Sequence, residues 1–349
     1  MNEDIVAELK RSADTISKID PAQIRAAADM IYECVKRKGQ VIFMGNGGSS
    51  ADAQHIAAEL SGRYAFDRPA MAGVCLSNVV PITAIGNDYS YDIIFQRQIE
   101  AFCRPGDVVV GLSTSGNSKN VILAVQKAKE IGAKTISFTG DQGKLRDAVN
   151  LAVIIPTKET ARVQEGYLAA LHTICGIVER AMYGRVAVLT DRDNTLCPDV
   201  PYCHDPAQMK VYPGVPAAIA RLNRAGYEVI VISNQSGINR GYFDETMLKA
   251  VNRAMLDQIE AGGGRIDGIY FCPHRPDEHC SCRKPEIGMG LQAIAEHHLD
   301  PAKCWMIGDA DKDVQFGQRL GMQTVQVGAG RNFVTAVNEI LADTIKTSY

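Results

Sequence analysis

The sequence predicts an α/β protein made of two doubly wound parallel-sheet domains. Three observations carry that prediction. Short apolar runs alternate with segments of helical periodicity through both halves of the chain. At 349 residues the chain is long enough for two ordinary cores. Loops rich in glycine, hydroxyls or carboxylates follow the apolar runs, where open α/β sheets bind ligands.

The elements follow in order. Asn2–Lys18 and Pro21–Lys38 carry apolar residues at helical spacing, with Pro21 at a first-turn position. Strand-like runs come next at Val41–Met44, Gly73–Leu76, Val108–Leu112, Thr135–Phe138 and Leu151–Ile155, and a helical stretch over Glu159–Tyr183 closes the first half. Gly184 ends that helix, so domains are expected at 1–183 and 184–349. The second half repeats the alternation with Val186–Thr190, Val229–Ser233, Gly268–Cys272, Cys304–Gly308 and Thr324–Val327. The halves share a pattern but no repeated sequence.

Bulk properties narrow the function classes. The chain is 46% hydrophobic and 22% charged with net charge −3, and no basic block or aromatic-basic interleaving points to nucleic acid. No apolar run is long enough to span a bilayer, and the N-terminus, charged and helical in pattern, is unlike a signal peptide. Ten cysteines without a secretion signal point to a reducing compartment, with thiols used for metal or packing, and so to the cytoplasm.

In the first half, Gly45-Asn46-Gly47-Gly48-Ser49-Ser50 follows a strand and opens a helix. Glycines let backbone approach an anion, and free N–H groups at a helix start favour phosphate. No Lys-Ser/Thr pair follows, so this is not a Walker loop. A second loop of the same kind, Ser113-Thr114-Ser115-Gly116-Asn117-Ser118, offers neutral hydroxyl donors suited to a phosphate monoester. His55 and Glu59 stand at i and i+4 on the helix after the first loop and share a face. Gln164 and His172 lie eight residues apart on the last helix, about 80° around the axis and roughly 12 Å along it. One ion bound by both would need long reaches.

Taken together, GNGGSSADAQH-x3-E, GNDYS (86–90), STSGNS (113–118) and RVQEGYLAALH (162–172) resemble phosphoheptose isomerases of the sugar-isomerase (SIS) fold, a flavodoxin-like architecture, over essentially residues 1–183. The resemblance implies conversion of sedoheptulose 7-phosphate, with Glu59 as base and His172 as acid. It implies that Gly47, Gly48, Ser49, Ser113, Thr114, Ser115 and Ser118 cradle phosphate, and that Asn46 and Asp88 line the sugar site. By the same resemblance His55, Glu59, Gln164 and His172 match zinc ligands of family members. Ala161 departs from the family, where some isomerases carry Asp. Related non-enzymatic SIS proteins lack the glutamate, so Glu59 favours catalysis over a sugar-phosphate sensor.

The second half opens on VAVLTDRDNTL (186–196), a buried-strand pattern ending in two carboxylates, Asp191 and Asp193. On extended backbone these point the same way, so they can share a divalent cation or a phosphoryl group. A calcium loop is excluded, since its sixth and twelfth positions hold Leu196 and Tyr202. The next strand ends in Ser233-Asn234, a loop supplies Arg283-Lys284, and a further strand ends in Asp309, with Asp313 four residues on. Between them, Cys272, His274, Cys280 and Cys282 fall within eleven residues and can form a closed tetrahedral zinc site.

The order of these strand ends resembles haloacid dehalogenase-like (HAD-like) phosphatases, a Rossmannoid fold here without a large cap. That resemblance makes Asp191 the nucleophile and Asp193 the acid and base. Ser233, Asn234, Arg283 and Lys284 hold the substrate, and Asp191, Asp309 and the Asp193 carbonyl hold Mg²⁺, with Asp313 behind them. DRDNTL, SNQSGINRGYF, CPHRPDEHCSCRKPEIGM and IGDADKD are similar to D-glycero-D-manno-heptose 1,7-bisphosphate phosphatases. Histidinol-phosphate phosphatases share these motifs and the short zinc loop, so this half alone leaves two substrates open. Asn194 replaces the usual glycine of the first motif, and Ala310 replaces a basic residue. Fusion of the two families implies one heptose route with a separate sugar kinase acting between the steps. It also implies a homo-oligomer, a tetramer through the SIS half, with small sugar phosphates as its ligands and surface glycan as the end use.

Overall fold

A computed structural model describes residues 2–347, so the last two residues of the expected second domain lie outside the described residues. Its contacts divide the chain into two compact units, Met1–Met182 and Tyr183–Tyr349.

The first unit begins with helices α1 (Asn2–Ile16) and α2 (Pro21–Lys36). Asp20 caps α2 by accepting from Ala22 N, with Pro21 behind it supplying a preset φ. Strand β1 (Val41–Gly45), α3 (Gly48–Ser61), β2 (Gly73–Cys75), α4 (Val79–Asp88), α5 (Ile94–Phe102) and β3 (Val108–Ser113) follow. Then come α6 (Lys119–Ile131), β4 (Lys134–Gly140), the one-turn α7 (Leu145–Ala148), β5 (Leu151–Ile155) and α8 (Thr160–Tyr183). All five strands are parallel in the order β2-β1-β3-β4-β5. Every residue of β1 and β3 is buried, because helices cover both faces of a doubly wound sheet. The chain reverses its winding between β1 and β3, which opens a crevice at their carboxyl ends.

The second unit contains β6 (Ala187–Thr190), α9 (Val215–Arg224), β7 (Glu228–Asn234), α10 (Glu245–Ala261), β8 (Gly268–Cys272) and α11 (Gly288–His297). It ends with β9 (Trp305–Gly308), α12 (Asp311–Arg319), β10 (Gln323–Gln326) and α13 (Phe333–Thr347). The parallel order is β10-β9-β6-β7-β8, so the switch in winding falls between β6 and β9. The pleat sorts residues by face. Val188, Val229, Val231 and Ile307 pack with α9, α10 and α13, while Ala187, Leu189, Ile230, Ile232 and Met306 pack with α11 and α12. Each fully buried Val or Ile in these layers contributes about 1.5–3 kcal/mol.

No helix among the described residues is long and apolar enough to cross a membrane. The sequence reading placed all ten strands to within a residue or two but did not anticipate α4 and α5.

Candidate active sites

In the first unit β1 ends at Gly45 and the chain turns through Asn46 and Gly47 into α3. Gly47 takes φ +55° as the N-cap, a conformation glycine adopts without cost. A Cβ on Gly48 would sit 2.7 Å from Gln164 Nε2, so a larger residue there would push the end of that side chain aside. Asn46 and Asn120 exchange amide hydrogen bonds of 2.9 Å, and Tyr91 donates its hydroxyl to Asn46 Oδ1 at 3.0 Å. The second loop leaves β3 at Ser113, whose hydroxyl shares a 2.9 Å hydrogen bond with that of Ser118, the N-cap of α6. Thr114 is half-buried between them, and exposed Ser115 accepts from Asn117 N at 3.2 Å. Ser49 turns inward, its hydroxyl 2.8 Å from that of Tyr167. Asp88 stands exposed at the end of α4, bonded to Asn87.

Helices α3 and α8 meet along one polar stripe. Near its start, Asp52 Oδ2 accepts from Gln164 Nε2 at 2.7 Å and from the Tyr167 hydroxyl at 3.2 Å. Farther along, His55 Nε2 lies 3.1 Å from Glu59 Oε1, and the His172 ring packs edge-on against His55 at 4.9 Å. Ligand atoms of His55, Glu59 and His172 all fall within 4.8 Å of one another. Gln164 is not brought to them; more than two helical turns separate it from His172, and its amide is held by Asp52. Of the four residues grouped by the family resemblance, His55, Glu59 and His172 stand close enough to share an ion, while the Gln164 amide bonds to Asp52. Burial, with the neighbouring His55 second, lowers the His172 pKa below the ordinary value of 6.5, and Glu59 opposes them.

Tyr64 stacks on His172 at 5.7 Å, and its position is fixed from below. Glu179 accepts from Tyr64 N at 2.9 Å, Ala65 N at 2.7 Å and Arg68 Nε at 2.9 Å. Both members of the Arg68–Glu179 pair are buried, 1% and 0% exposed. Arg68 also donates to the backbone carbonyls of Glu59 and Leu60 at 2.8 Å, so one buried pair ties together the loop, the end of α3 and α8.

In the second unit the carboxyl ends of β6, β7 and β9 converge. Asp191 follows β6 directly, and Lys284 Nζ donates to its Oδ1 at 2.8 Å and to the Ile232 carbonyl at 2.6 Å. The same ammonium lies 2.7 Å from Asp313 Oδ1, in a pair with no exposure on either side chain. Burial works against the charge on Lys284, but Asp191 and Asp313 more than offset it, so its pKa is held above the ordinary lysine value. Ligand oxygens of Asp191, Asp309 and Asp313 lie within 4.8 Å of one another. A Cβ on Gly308 would sit 2.3 Å from that of Asp313, so glycine at the end of β9 is what admits this carboxylate.

Ser233 is buried and accepts from Gln235 Nε2 at 2.7 Å. The Asn234 amide brackets the Lys284 backbone, donating to its carbonyl at 3.2 Å and accepting from its N–H at 3.1 Å. Asp193 is placed differently from Asp191. Its carboxylate takes hydrogen bonds from Arg192 and Gln235 at 3.0 Å and stays outside the lysine cluster. Asn194 occupies the left-handed region at φ +56°, which asparagine tolerates, and its Oδ1 accepts from Asp199 N at 3.2 Å. The missing glycine is thereby accommodated.

The thiol cluster sits at the end of β8. Cys282 Sγ lies 3.3 Å from Cys272 Sγ, 3.4 Å from Cys280 Sγ and 3.3 Å from His274 Nδ1. A tetrahedral zinc with bonds of about 2.3 Å spaces its sulfurs about 3.8 Å apart, so the donor set fits that ion with slight expansion. His279 is exposed and outside the cluster. Arg283 Nη1 donates to the His274 carbonyl at 3.1 Å, which links the thiol loop to the segment bearing Lys284.

Sequence reasoning missed Asp52, Tyr64, Arg68, Tyr167, Glu179, Gln235 and Asn252 as partners of the site residues. The stripe Ser49, Asp52, His55, Glu59 along α3 is a readable signal for Asp52.

Comparison with known proteins finds relatives for each half of the chain. A SIS domain model matches residues 6–140, and a HAD-hydrolase-like model matches residues 281–346. The phosphoheptose isomerase of Clostridium acetobutylicum is 43% identical over 187 residues, 52% of this chain and 95% of that protein. Among solved structures, a phosphoheptose isomerase from Neisseria gonorrhoeae aligns at 38% identity, covering 51% of this chain and 98% of its own, with a TM-score of 0.47. D,D-heptose 1,7-bisphosphate phosphatase from B. bronchiseptica, complexed with magnesium and phosphate, aligns at 28% identity, covering 46% of this chain and 99% of its own, with a TM-score of 0.40. The chain belongs, through its N-terminal half, to the phosphoheptose isomerase family, and residues 281–346 of its second half match a HAD-hydrolase-like model.

Proposed function

We propose that the chain is a bifunctional enzyme of heptose biosynthesis. Its first unit interconverts sedoheptulose 7-phosphate and D-glycero-D-manno-heptose 7-phosphate, and its second removes the 7-phosphate of D-glycero-D-manno-heptose 1,7-bisphosphate. The observation that supports this best is the assembly of Asp191 with Lys284 just beyond β6, and of Glu59 with His172 where α3 and α8 meet.

In the isomerase step Glu59 removes the proton from the carbon beside the carbonyl while His172 protonates the carbonyl oxygen. The enediol then regains a proton from Glu59 at the neighbouring carbon while its other hydroxyl returns a proton to His172, leaving the aldehyde and both groups as they began. The phosphate, held on the Gly47–Ser49 turn and the Ser113–Ser118 loop, orients the reacting carbons. The donor set of His55, Glu59 and His172 also suits zinc, which would polarise the sugar oxygens.

In the phosphatase step an Asp191 oxygen attacks phosphorus, the bond to the sugar oxygen breaks, and Asp193 protonates that oxygen. Water, deprotonated by Asp193, then releases phosphate from the aspartyl-phosphate and restores Asp191. Lys284, Ser233 and Asn234 hold the phosphoryl group, and Arg283 meets the rest of the substrate. Three carboxylates and one ammonium leave two negative charges, which fits Mg²⁺ held by Asp191 and Asp309 with Asp313 nearby; the ion would supply positive charge to the transferring group. The thiol cluster is read as structural zinc.

The reading includes a cytoplasmic homo-oligomer, a tetramer through the first unit, working with a separate heptose 7-phosphate kinase. Helix α1 exposes Ile5, Val6 and Leu9, and α4 exposes Val79 and Val80, apolar surface of the kind subunits cover. Active protein that sizes as a monomer by light scattering would remove the tetramer.

The full chain should convert sedoheptulose 7-phosphate and release phosphate from heptose 1,7-bisphosphate, assayed with each anomer separately. Failure of isomerisation would reassign the first unit as a sensor. Faster turnover of histidinol phosphate would reassign the second.

A further inference from the structure

Between the two motif carboxylates stands Arg192, which heads the largest fully buried side chains among the described residues at 2% exposure. Its guanidinium makes a two-pronged contact with the next residue, Nε to Asp193 Oδ1 and Nη2 to Asp193 Oδ2, both 3.0 Å. The third nitrogen, Nη1, donates to Asn252 Oδ1 at 3.1 Å, in the middle of α10. Neighbouring side chains on extended backbone point to opposite sides, so this pairing exists only because the chain turns sharply after Asp191. An apolar residue could fill the same space without burying a charge. The Asp193 side chain keeps 24% exposure and borders an opening of about 280 Å³ that also meets Asp199, Tyr202, Asn234 and Gln235.

We propose that Arg192 is a positioning residue for Asp193. Anchored by Asn252, the guanidinium fixes the plane and rotamer of the carboxylate, so that its free side faces the opening where the leaving oxygen and the incoming water must lie. Arg192 borders the same opening but is only 2% exposed, and its guanidinium is taken up by Asp193 and Asn252, so its role there is to hold the carboxylate. The inference rests on the reading of Asp193 as the group serving that oxygen and that water.

A double-mutant cycle on the full-length protein, read by phosphate release from heptose 1,7-bisphosphate, tests it. Arg192→Met should lower kcat about 10²-fold, the lower end of what acid-base catalysis contributes, with KM within about threefold. Asp193→Asn should cost at least as much, and the double variant should be no slower than Asp193→Asn alone. Losses that multiply in the double variant, or a parental kcat for Arg192→Met, would overturn the positioning role while leaving Asp193 in place. A parental kcat for Asp193→Asn would instead sink the reading on which the role rests. If Arg192→Met does not fold, Asn252→Leu keeps the arginine and removes its anchor. It should lower kcat about three- to tenfold, again only while Asp193 is present, and a parental rate there overturns the proposal.

Discussion

The two units place their sites alike, at the carboxyl ends of the first strand and the strand beyond the switch in winding, yet furnish them in opposite ways. The β1/β3 crevice offers neutral groups: glycine turns, serine and threonine hydroxyls and paired asparagine amides. The titratable cluster of that unit, farther along α3 where it meets α8, is open, with His55 and Glu59 side chains 47% and 22% exposed. The β6/β9 crevice is charged and closed, with Lys284 and Asp313 at 0% and Asp191 at 7%. The difference is the one the two proposed reactions would require. A phosphate used as a handle needs orientation, which uncharged donors provide without holding product too tightly. A phosphoryl group in transfer carries charge onto a carboxylate, and only buried counter-charges offset that repulsion.

The sharpest break of this comparison is Asp191→Asn. Phosphatase turnover should fall by about 10⁴-fold or more, as loss of a nucleophile does, while sedoheptulose 7-phosphate isomerisation continues at the parental rate. Phosphate release that survives in folded Asp191→Asn protein would remove the covalent step.

Its mirror image is Glu59→Gln. Isomerisation should fall by about 10²–10⁴-fold, the usual contribution of a general base, with phosphatase activity intact. Equal turnover in the two proteins would mean that the open cluster does not carry the first reaction.

A smaller effect sharpens the structural side. Removing zinc by chelation, or replacing one ligand in Cys280→Ser, should lower the unfolding temperature of the phosphatase unit by several degrees. The scale is about 2–4 °C per kcal/mol for a domain of this size. Metal analysis should show the loss of one zinc per chain. An unchanged transition in zinc-free protein would reduce the thiols to packing.

How much of this the sequence disclosed depended on distance along the chain. Strands buried on both faces announce themselves as apolar runs, so β1, β3, β6 and β7 were readable. Strand-end motifs were readable because a parallel sheet brings such ends together in any order of winding. Helix α4 was not, because Val79 and Val80 face outward and blur the apolar period, although its cap, Asn78 accepting from Val80 N, was a usable signal. Arg68 and Glu179 stand 111 residues apart, and nothing local marks them as partners. Arg192 drew no reading of its own, because motif spacing counts carboxylates and passes over what lies between. The pairing of Gln164 with His172 shows the converse, since residues joined by a family pattern are kept apart by the rise of one helix.

The finest test concerns the proton that His172 would give up in the proposed isomerisation. Burial disfavours its charged form, His55 adds to that, and Glu59 acts in the other direction, leaving the pKa below 6.5. At neutral pH the ring is then uncharged, and it must donate from a neutral N–H, a role neutral imidazoles fill when polarising a carbonyl. In protein stripped of metal, imidazole NMR should find His172 titrating below a free histidine. Replacing Glu59 by Gln removes the larger of the two carboxylate charges that raise it, Asp52 being the other, and should carry the midpoint lower still, whereas His55→Asn should carry it upward. The same shift has a stability consequence of fixed sign. Because the folded ring binds its proton less readily than the unfolded one, this contribution is fully present above the unfolded pKa of about 6.5 and is lost as pH falls through and below it. A His172 midpoint above 6.5 would mean that the Glu59 carboxylate, rather than burial, governs the ring, and the open crevice would then work with an imidazolium acid.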